Sequence, residues 1–414
     1  LTFARSVGYA VVKKPEGYTT AKVDQIIQEY EKKSANEQQS TAKQYPNIIT
    51  VVNETFADIK VLGDFKTNED YMPYFHSLKK NCVTGYTYAS IVGGQTANTE
   101  FELLTGNTLG FLSAGTTAFQ LYIHGQMPSL VSNLKAEGYS GNKAMHPFNP
   151  YNYNRPAVYK DFGFTDFIDK FDFPKNVKRV REYISDEANV DRIISEYEKN
   201  RKKTDQPFYM YNMTIQNHSP YDKDAANFKQ PIKIESSKYD AEANRYLNLI
   251  KYSDDSLKQL TSYFEKCKEP TIILFLGDHQ PRLTDEFMNK ITNGQYQTWS
   301  SEQMMKRYQV PFVIWANYDI KEQHIEKTSM NYIQSILTKT AGVKMTGYQR
   351  FLNEVRKEVP TITSQGYWGK NGKFYQINDK GSPYYGIIQK YRMIQYNMMF
   401  DKKNRRDSFF EVSK

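Results

Sequence analysis

Short runs of β-branched and aromatic residues recur along the chain, each bounded by polar residues. Asn47 to Asn53, Pro207 to Met213, Thr271 to Leu276 and Val310 to Trp315 are such runs, with the length and composition of strands buried on both faces. A stretch near Gly141 to Met145 reads as a further strand. Helical periodicity fills the gaps: Val190, Ile193, Ile194 and Tyr197 share one face behind the cap candidate Ser185, and Leu247, Ile250, Leu257 and Leu260 line another ahead of the Thr271 run. Strands alternating with crossover-length helices predict an α/β fold with a mainly parallel central sheet flanked by helices. Before the first strand, Val23, Ile26, Ile27 and Tyr30 predict a helix behind Thr19 and Thr20, followed by a polar linker from Glu31 to Gln44. After about residue 345 the pattern loosens into Tyr-rich, Gly-punctuated sequence, such as Gln365 to Gly369 and Lys380 to Gly386, which predicts a small C-terminal α+β subdomain. The expected division is 1–45 for the helix and linker, 46–345 for the main domain and 346–414 for the subdomain.

Composition narrows the picture. With 414 residues, 39% hydrophobic and 14% aromatic, the chain buries a large core and is not disordered as a whole. No apolar run reaches the roughly 18 residues of a membrane span. The chain opens on Leu1 without a signal-like pattern, so a fragment of something longer is expected. A net charge of +9 favours anionic partners such as acidic lipid heads or phosphate polymers. No nucleic-acid motif accompanies it, and the basic runs at Arg201 to Lys203 and Lys402 to Arg406 read as solvated surface, so no nucleic-acid partner is expected. Cys82 and Cys267 are the whole cysteine complement, which removes disulfide frameworks and Cys-x-x-Cys redox sites and leaves any metal site to His and carboxylates.

In an open α/β sheet, ligands gather beyond the carboxyl ends of the strands. The residues there are chemically rich: Asn53, Glu54 and Thr55 follow the first strand, Gly277, Asp278 and His279 follow the Thr271 strand, Thr214 to His218 follow the Phe208 strand, and His146 follows Met145. Glu54, Asp278 and His279 supply two oxygens and one nitrogen for a divalent ion. The competing reading makes the Gly-Asp-His turn a helix cap and Glu54 a surface carboxylate. Thr96 follows the glycine pair Gly93 and Gly94 at the start of a helical stretch, where free N–H groups and the dipole favour an anion, so it is a candidate nucleophile. Against this, Thr residues are common caps, and Thr99 with Glu102 matches a capping box. His146 and Arg155 offer a donor and a planar cation for phosphate oxygens, with Tyr153 as an apolar wall, and His218 is placed to protonate a leaving alkoxide.

Together these motifs resemble the lipoteichoic acid synthase type of sulfatase-like phosphoglycerol transferase. Asn53-Glu54-Thr55, Gln95 to Phe101 around Thr96, His146 with Arg155 and the following Val158 to Phe164, Asn217-His218 and Gly277-Asp278-His279 occur in the same order from about Asn47 to Gly342. The resemblance implies the sulfatase and alkaline phosphatase fold, in a domain at the extracellular face of the bacterial cell membrane, anchored by N-terminal transmembrane helices absent from this chain. It implies one Mn²⁺, with Mg²⁺ or Zn²⁺ as alternatives, held by Glu54, Thr96, Asp278 and His279. It further implies that Thr96 attacks phosphatidylglycerol and that an acceptor polymer, lipoteichoic acid or a cell-wall polysaccharide, collects the glycerol phosphate. His146, Tyr153, Arg155 and His218 match substrate-binding positions. The chain departs from the pattern at Tyr153, where synthases commonly carry Trp, and at Pro147 and Phe148, where Gly and Asp often follow the His. Its C-terminal segment is more similar to relatives that decorate cell-wall polysaccharides. A formylglycine sulfatase is excluded by the surroundings of Cys82 and Cys267. A phosphoethanolamine transferase with more zinc ligands and a non-catalytic teichoic-acid-binding domain are the other readings.

Overall fold

A computed structural model of the protein describes residues 12–34, 44–235, 240–294 and 296–412. Eight strands form the central sheet: β1 (Asn47–Asn53), β2 (Cys82–Tyr88), β3 (Ser140–Met145), β4 (Asp166–Ile168), β7 (Phe208–Met213), β8 (Thr271–Gly277), β9 (Gln309–Ala316) and β10 (Gln323–Ser329), in the order β10-β2-β9-β8-β1-β7-β3-β4. A two-stranded ribbon of β5 (Arg179–Val180) and β6 (Tyr183–Ile184) lies between β4 and β7 in sequence. Every residue of β1, β7 and β8 is buried, as their near-continuous apolar runs predict.

The main helices are α1 (Thr20–Ser34), α2 (Thr96–Thr105), α3 (Arg155–Phe162), α4 (Asp186–Arg201), α5 (Ala241–Phe264), α6 (Met330–Thr340), α7 (Gly347–Glu358) and α8 (Tyr385–Met399). Side-chain caps start the two long ones: Ser185 accepts the N–H of Ala188 ahead of α4, and Asp240 that of Ala243 ahead of α5. In the C-terminal part a three-stranded antiparallel sheet, β11 (Thr361–Thr363), β12 (Gly366–Trp368) and β13 (Phe374–Tyr375), accompanies α7 and α8. Tyr348, Phe351 and Tyr391 of this part belong to the same buried cluster as the central sheet. The linker expected over 31–44 starts later than expected, because α1 runs to Ser34; residues 35–43 lie outside the described residues.

The sheet is mainly parallel, as expected, with one exception: the Val310 run is a strand, but β9 runs antiparallel to both β8 and β2, whereas the other neighbouring pairs are parallel. A strand's direction depends on where its connection returns to the sheet, which the strand's own residues do not encode. The four strands that carry the candidate residues are adjacent and parallel, in the order β8-β1-β7-β3. Their registers, Asn53 opposite Gly277, Val52 opposite Met213 and Met145 opposite Asn212, bring all four carboxyl ends out at one edge.

Candidate functional site

Asp278 and His279 leave β8 beside Glu54, which leaves β1. Asp278 Oδ1 accepts the backbone N–H groups of Thr55 and of His279, both at 2.7 Å. These bonds fix the carboxylate and leave Oδ2 buried without a hydrogen-bond partner. His279 Nδ1 lies 3.0 Å from the carbonyl of Gln280. A carbonyl only accepts, so Nδ1 carries the proton and Nε2 presents its lone pair. That atom is also buried and makes no hydrogen bond, although it stands 3.2 Å from Asp278 Oδ2 and 3.7 Å from Glu54 Oε1. Burial, reinforced by the charge of Asp278, holds the Glu54 carboxyl well above the usual carboxylate range. Orphaned acceptors converging in a buried place are costly unless a cation joins them. The three donor atoms lie within 4.8 Å of one another, and the donor set, two carboxylate oxygens and one imidazole nitrogen with its second nitrogen tied to a carbonyl, fits a divalent ion. The helix-cap reading of Gly277-Asp278-His279 is not what the chain does, since Asp278 braces the β1 turn instead.

Thr96 is the first residue of α2, after Gln95 in the left-handed region at φ 63° and Gly93 and Gly94 at φ 67° and 146°. The glycine pair thus makes the reversal that points the helix start at the sheet edge. Thr96 Oγ1 lies 3.4 Å from Glu54 Oε2, so the candidate nucleophile borders the candidate cation site. The capping box expected from Thr99 and Glu102 is absent. Both are interior residues of α2: Thr99 donates to the Asp278 carbonyl, and Glu102 accepts from Ser90, Thr108 and the N–H of Leu109.

Glu54, Thr96, His146, Tyr153, Arg155 and His218 line one cavity of about 360 Å³, together with Gln95, Gln120, Phe148 and Asn152. Arg155 opens α3 and is buried, with Nε and Nη2 on Glu100 Oε1 at 3.1 and 2.7 Å. Burial pulls the Arg155 guanidinium down, and the Glu100 carboxylate more than reverses this, so Arg155 remains a cation. Tyr153 sits under it, with its ring centroid 5.1 Å from the guanidinium carbon. His146 Nδ1 lies 2.9 Å from the Met213 carbonyl, and burial followed by the Arg155 charge holds the ring well below the usual imidazole range. It is therefore neutral with its proton on Nδ1, and the nitrogen left over accepts. With that tautomer His146 offers Nε2 as an acceptor, which suits a substrate hydroxyl, where the sequence pointed to a donor for a phosphate oxygen. His218 turns Nδ1 to the Ser219 carbonyl at 2.7 Å and stacks on Phe148 at 6.3 Å between centroids, leaving Nε2 for proton transfer.

Sequence reasoning missed Glu100, whose other oxygen takes the hydroxyls of Tyr159 and Tyr211, and gave no role to Asn217, which binds the Asn53 side chain, the Glu54 carbonyl and Ser253 Oγ. Asn217 had a signal in its adjacency to His218; Glu100 had none beyond its place one turn after Thr96.

The sulfatase family model matches residues 46–343. A protein of Rhizobium meliloti (strain 1021), provisionally named for cyclic beta-1,2-glucan modification, is 30% identical over 419 residues; the match covers 99% of this chain, which spans 63% of that relative's length. The phosphoglycerol transferase GacH of Streptococcus pyogenes, solved in complex with sn-glycerol-1-phosphate, is 21% identical with a TM-score of 0.78, covering 97% of this chain and all of that one (100%). The lipoteichoic acid synthase LtaP of Listeria monocytogenes is 20% identical with a TM-score of 0.64, covering 94% of this chain and 98% of that one. The two solved structures share the fold, and the family match covers the β1, α2, β7 and β8 segments that build the site. The chain belongs to the sulfatase family.

Proposed function

We propose that this domain transfers glycerol phosphate from phosphatidylglycerol to a polymer of the bacterial cell envelope, through a phosphodiester on Thr96, and that it works at the outer face of the cell membrane. The observation that carries this reading is the placement of Thr96 Oγ1, which starts a helix, borders the Glu54 carboxylate and the unpartnered donor atoms of Asp278 and His279, and opens into the cavity lined by Arg155, His146 and His218. A divalent cation held by Glu54, Thr96, Asp278 and His279, for which Mn²⁺ is the first candidate, supplies Lewis acidity beside the threonyl oxygen.

The chain's own groups account for the rest. Arg155, kept cationic by Glu100, and the N–H groups at the start of α2 face the phosphate and stabilise the charge that builds on its oxygens. His146 accepts a hydrogen bond from a glycerol hydroxyl. Thr96 Oγ1 gives its proton to Glu54 Oε2, the acceptor it already faces, and forms a bond to phosphorus as the bond to the diacylglycerol oxygen breaks; His218, with a proton on each ring nitrogen, gives the one on Nε2 to this oxygen. An acceptor hydroxyl then displaces Thr96 in the reverse sense. The name of the Rhizobium relative favours a glycan as the acceptor over a growing glycerophosphate chain.

The test is Thr96→Ala with a fluorescent phosphatidylglycerol and Mn²⁺. Release of diacylglycerol should fall by about three orders of magnitude or more, with an unchanged thermal midpoint, while mass spectrometry of the wild type shows one glycerophosphate added at Thr96. Undiminished release by the variant overturns the assignment.

A further inference from the structure

The walls of the cavity continue into two side chains that behave unlike the rest of the surface. Among the described residues, Tyr151 and Phe171 are the large apolar side chains that stand exposed, at 80% and 74%. Isolated surface apolar residues are ordinary, but both of these adjoin the same cavity. Tyr151 immediately precedes the lining residues Asn152 and Tyr153, and its carbonyl takes the N–H of Asn154. Phe171 follows Lys170, whose ammonium lies 5.9 Å from the ring centroid of the lining residue Phe148 and 5.0 Å from that of Phe171, and whose backbone N–H meets the Phe148 carbonyl. The turn is built to present that ring: Asp169 accepts the Phe171 N–H at 2.7 Å, and Asp172 accepts the Asp169 N–H at 2.9 Å. It directly follows β4, whose last residue, Ile168, pairs with the start of the cavity wall through the His146 N–H.

Resting on the proposed donor, we infer that Tyr151, Phe171 and Lys170 form a membrane-contacting rim, which seats the cavity mouth on an anionic bilayer while a lipid headgroup reaches Thr96. A glycerophospholipid keeps its acyl chains in the bilayer as its phosphate enters the cavity, so the mouth must meet the lipid interface. An amphipathic Tyr, a Phe and a Lys are residues that interface favours. The net charge of +9 adds attraction to acidic lipid heads. A sugar polymer would stack on the same rings, but Phe beside Lys at a mouth that takes a lipid headgroup favours the bilayer.

The experiment compares the 414-residue chain with the double variant Tyr151→Ser, Phe171→Ser. Vesicles of phosphatidylglycerol and phosphatidylcholine serve as the surface, and a water-soluble glycerophosphodiester with a chromogenic leaving group as the soluble substrate. The expected result is a loss of vesicle binding of at least about tenfold and a similar loss of diacylglycerol release, with turnover of the soluble diester unchanged. Unchanged vesicle binding overturns the rim while leaving the proposed chemistry standing. Unchanged vesicle binding with reduced transfer to an oligoglucan also overturns it and assigns the rings to the acceptor. Absence of turnover of either substrate by the wild type strikes the proposed function instead, since vesicle binding is read independently.

Discussion

Arg155 illustrates how a single residue is made usable in a buried place. Its guanidinium shares Glu100 Oε1 through two N–H groups, and Glu100 is completed by the hydroxyls of Tyr159 and Tyr211. The pair is neutral as a unit, so it can be buried, and its members are not separately removable. Arg155→Ala strands a carboxylate in the core and is expected to cost about 3–5 kcal/mol, read as a lower denaturant midpoint. Arg155→Lys keeps the charge but not the planar fork, so a smaller stability loss should accompany an equally severe loss of headgroup transfer. An unshifted midpoint for Arg155→Ala would show that Glu100 finds another partner. At this scale the sequence was legible wherever a polar residue followed an apolar run, as for Glu54, His146, His218, Asp278 and His279. Glu100 was not legible, because a buried carboxylate in a helical stretch looks like a solvated one until its partner, 55 residues away, is seen. The tautomer of His146 was not legible, since it depends on the Met213 carbonyl from another strand.

Between elements, the close approach of the β1 and β8 ends decides whether the donor atoms meet. The turn after β1 passes so near Gly277 that a Cβ there would lie 1.9 Å from the Phe56 carbonyl oxygen. The glycine before Asp278 is therefore required by space, and Gly277→Ala must push the two turns apart. The expected cost is about 1–3 kcal/mol, with loss of the rise in thermal midpoint that Mn²⁺ is expected to give the wild type under the proposed function. Gly386→Ala, on the first turn of α8 with nothing within 4 Å of the added carbon, is the control and should leave both quantities in place. A normal Mn²⁺-induced rise in Gly277→Ala would separate the turn contact from cation binding. The strands that set this geometry were readable because β1, β7, β8 and β9 are near-continuous apolar runs. β2 carries Thr84, Gly85 and Thr87 within it, and β10 reads Gln323, His324, Ile325, Glu326 and Lys327, so neither shows a long apolar run. β10 occupies the sheet edge, where polar residues face solvent and the sequence pattern fades.

Across the whole molecule, the N- and C-terminal helices secure the end of α2 remote from the cavity. Tyr348 of α7 and Tyr391 of α8 both donate to the Gly106 carbonyl, Lys390 pairs with Glu29 of α1, and Arg406 pairs with Asp24 of α1. The stability of this shared core then responds to pH as one quantity. Burial pushes Glu102 up to about 7, and bonding to Asp58 and Asp70 pushes His76 up to about 9. Both folded values lie above the unfolded ones, so folding takes up protons. Glu102 loses its contribution as pH rises from about 4.5 to about 7, and His76 as pH rises from about 6.5 to about 9. His146 has the opposite sign, because its folded value is lowered, but above about pH 6.5 it is neutral in both states and adds no slope. The metal-free chain, held in chelator, should therefore lose stability steadily between about pH 7 and about pH 9. His76 is about a third exposed, which holds its share to about 1 kcal/mol. His76→Gln should flatten the decline of the thermal midpoint over that window. Added Mn²⁺ should oppose the decline, since deprotonated donors bind the cation more tightly as pH rises. A chelated wild type whose midpoint climbs from pH 7 to 9, or a His76→Gln variant with the wild-type slope, would remove the Asp58, His76 and Asp70 cluster from the stability of the fold.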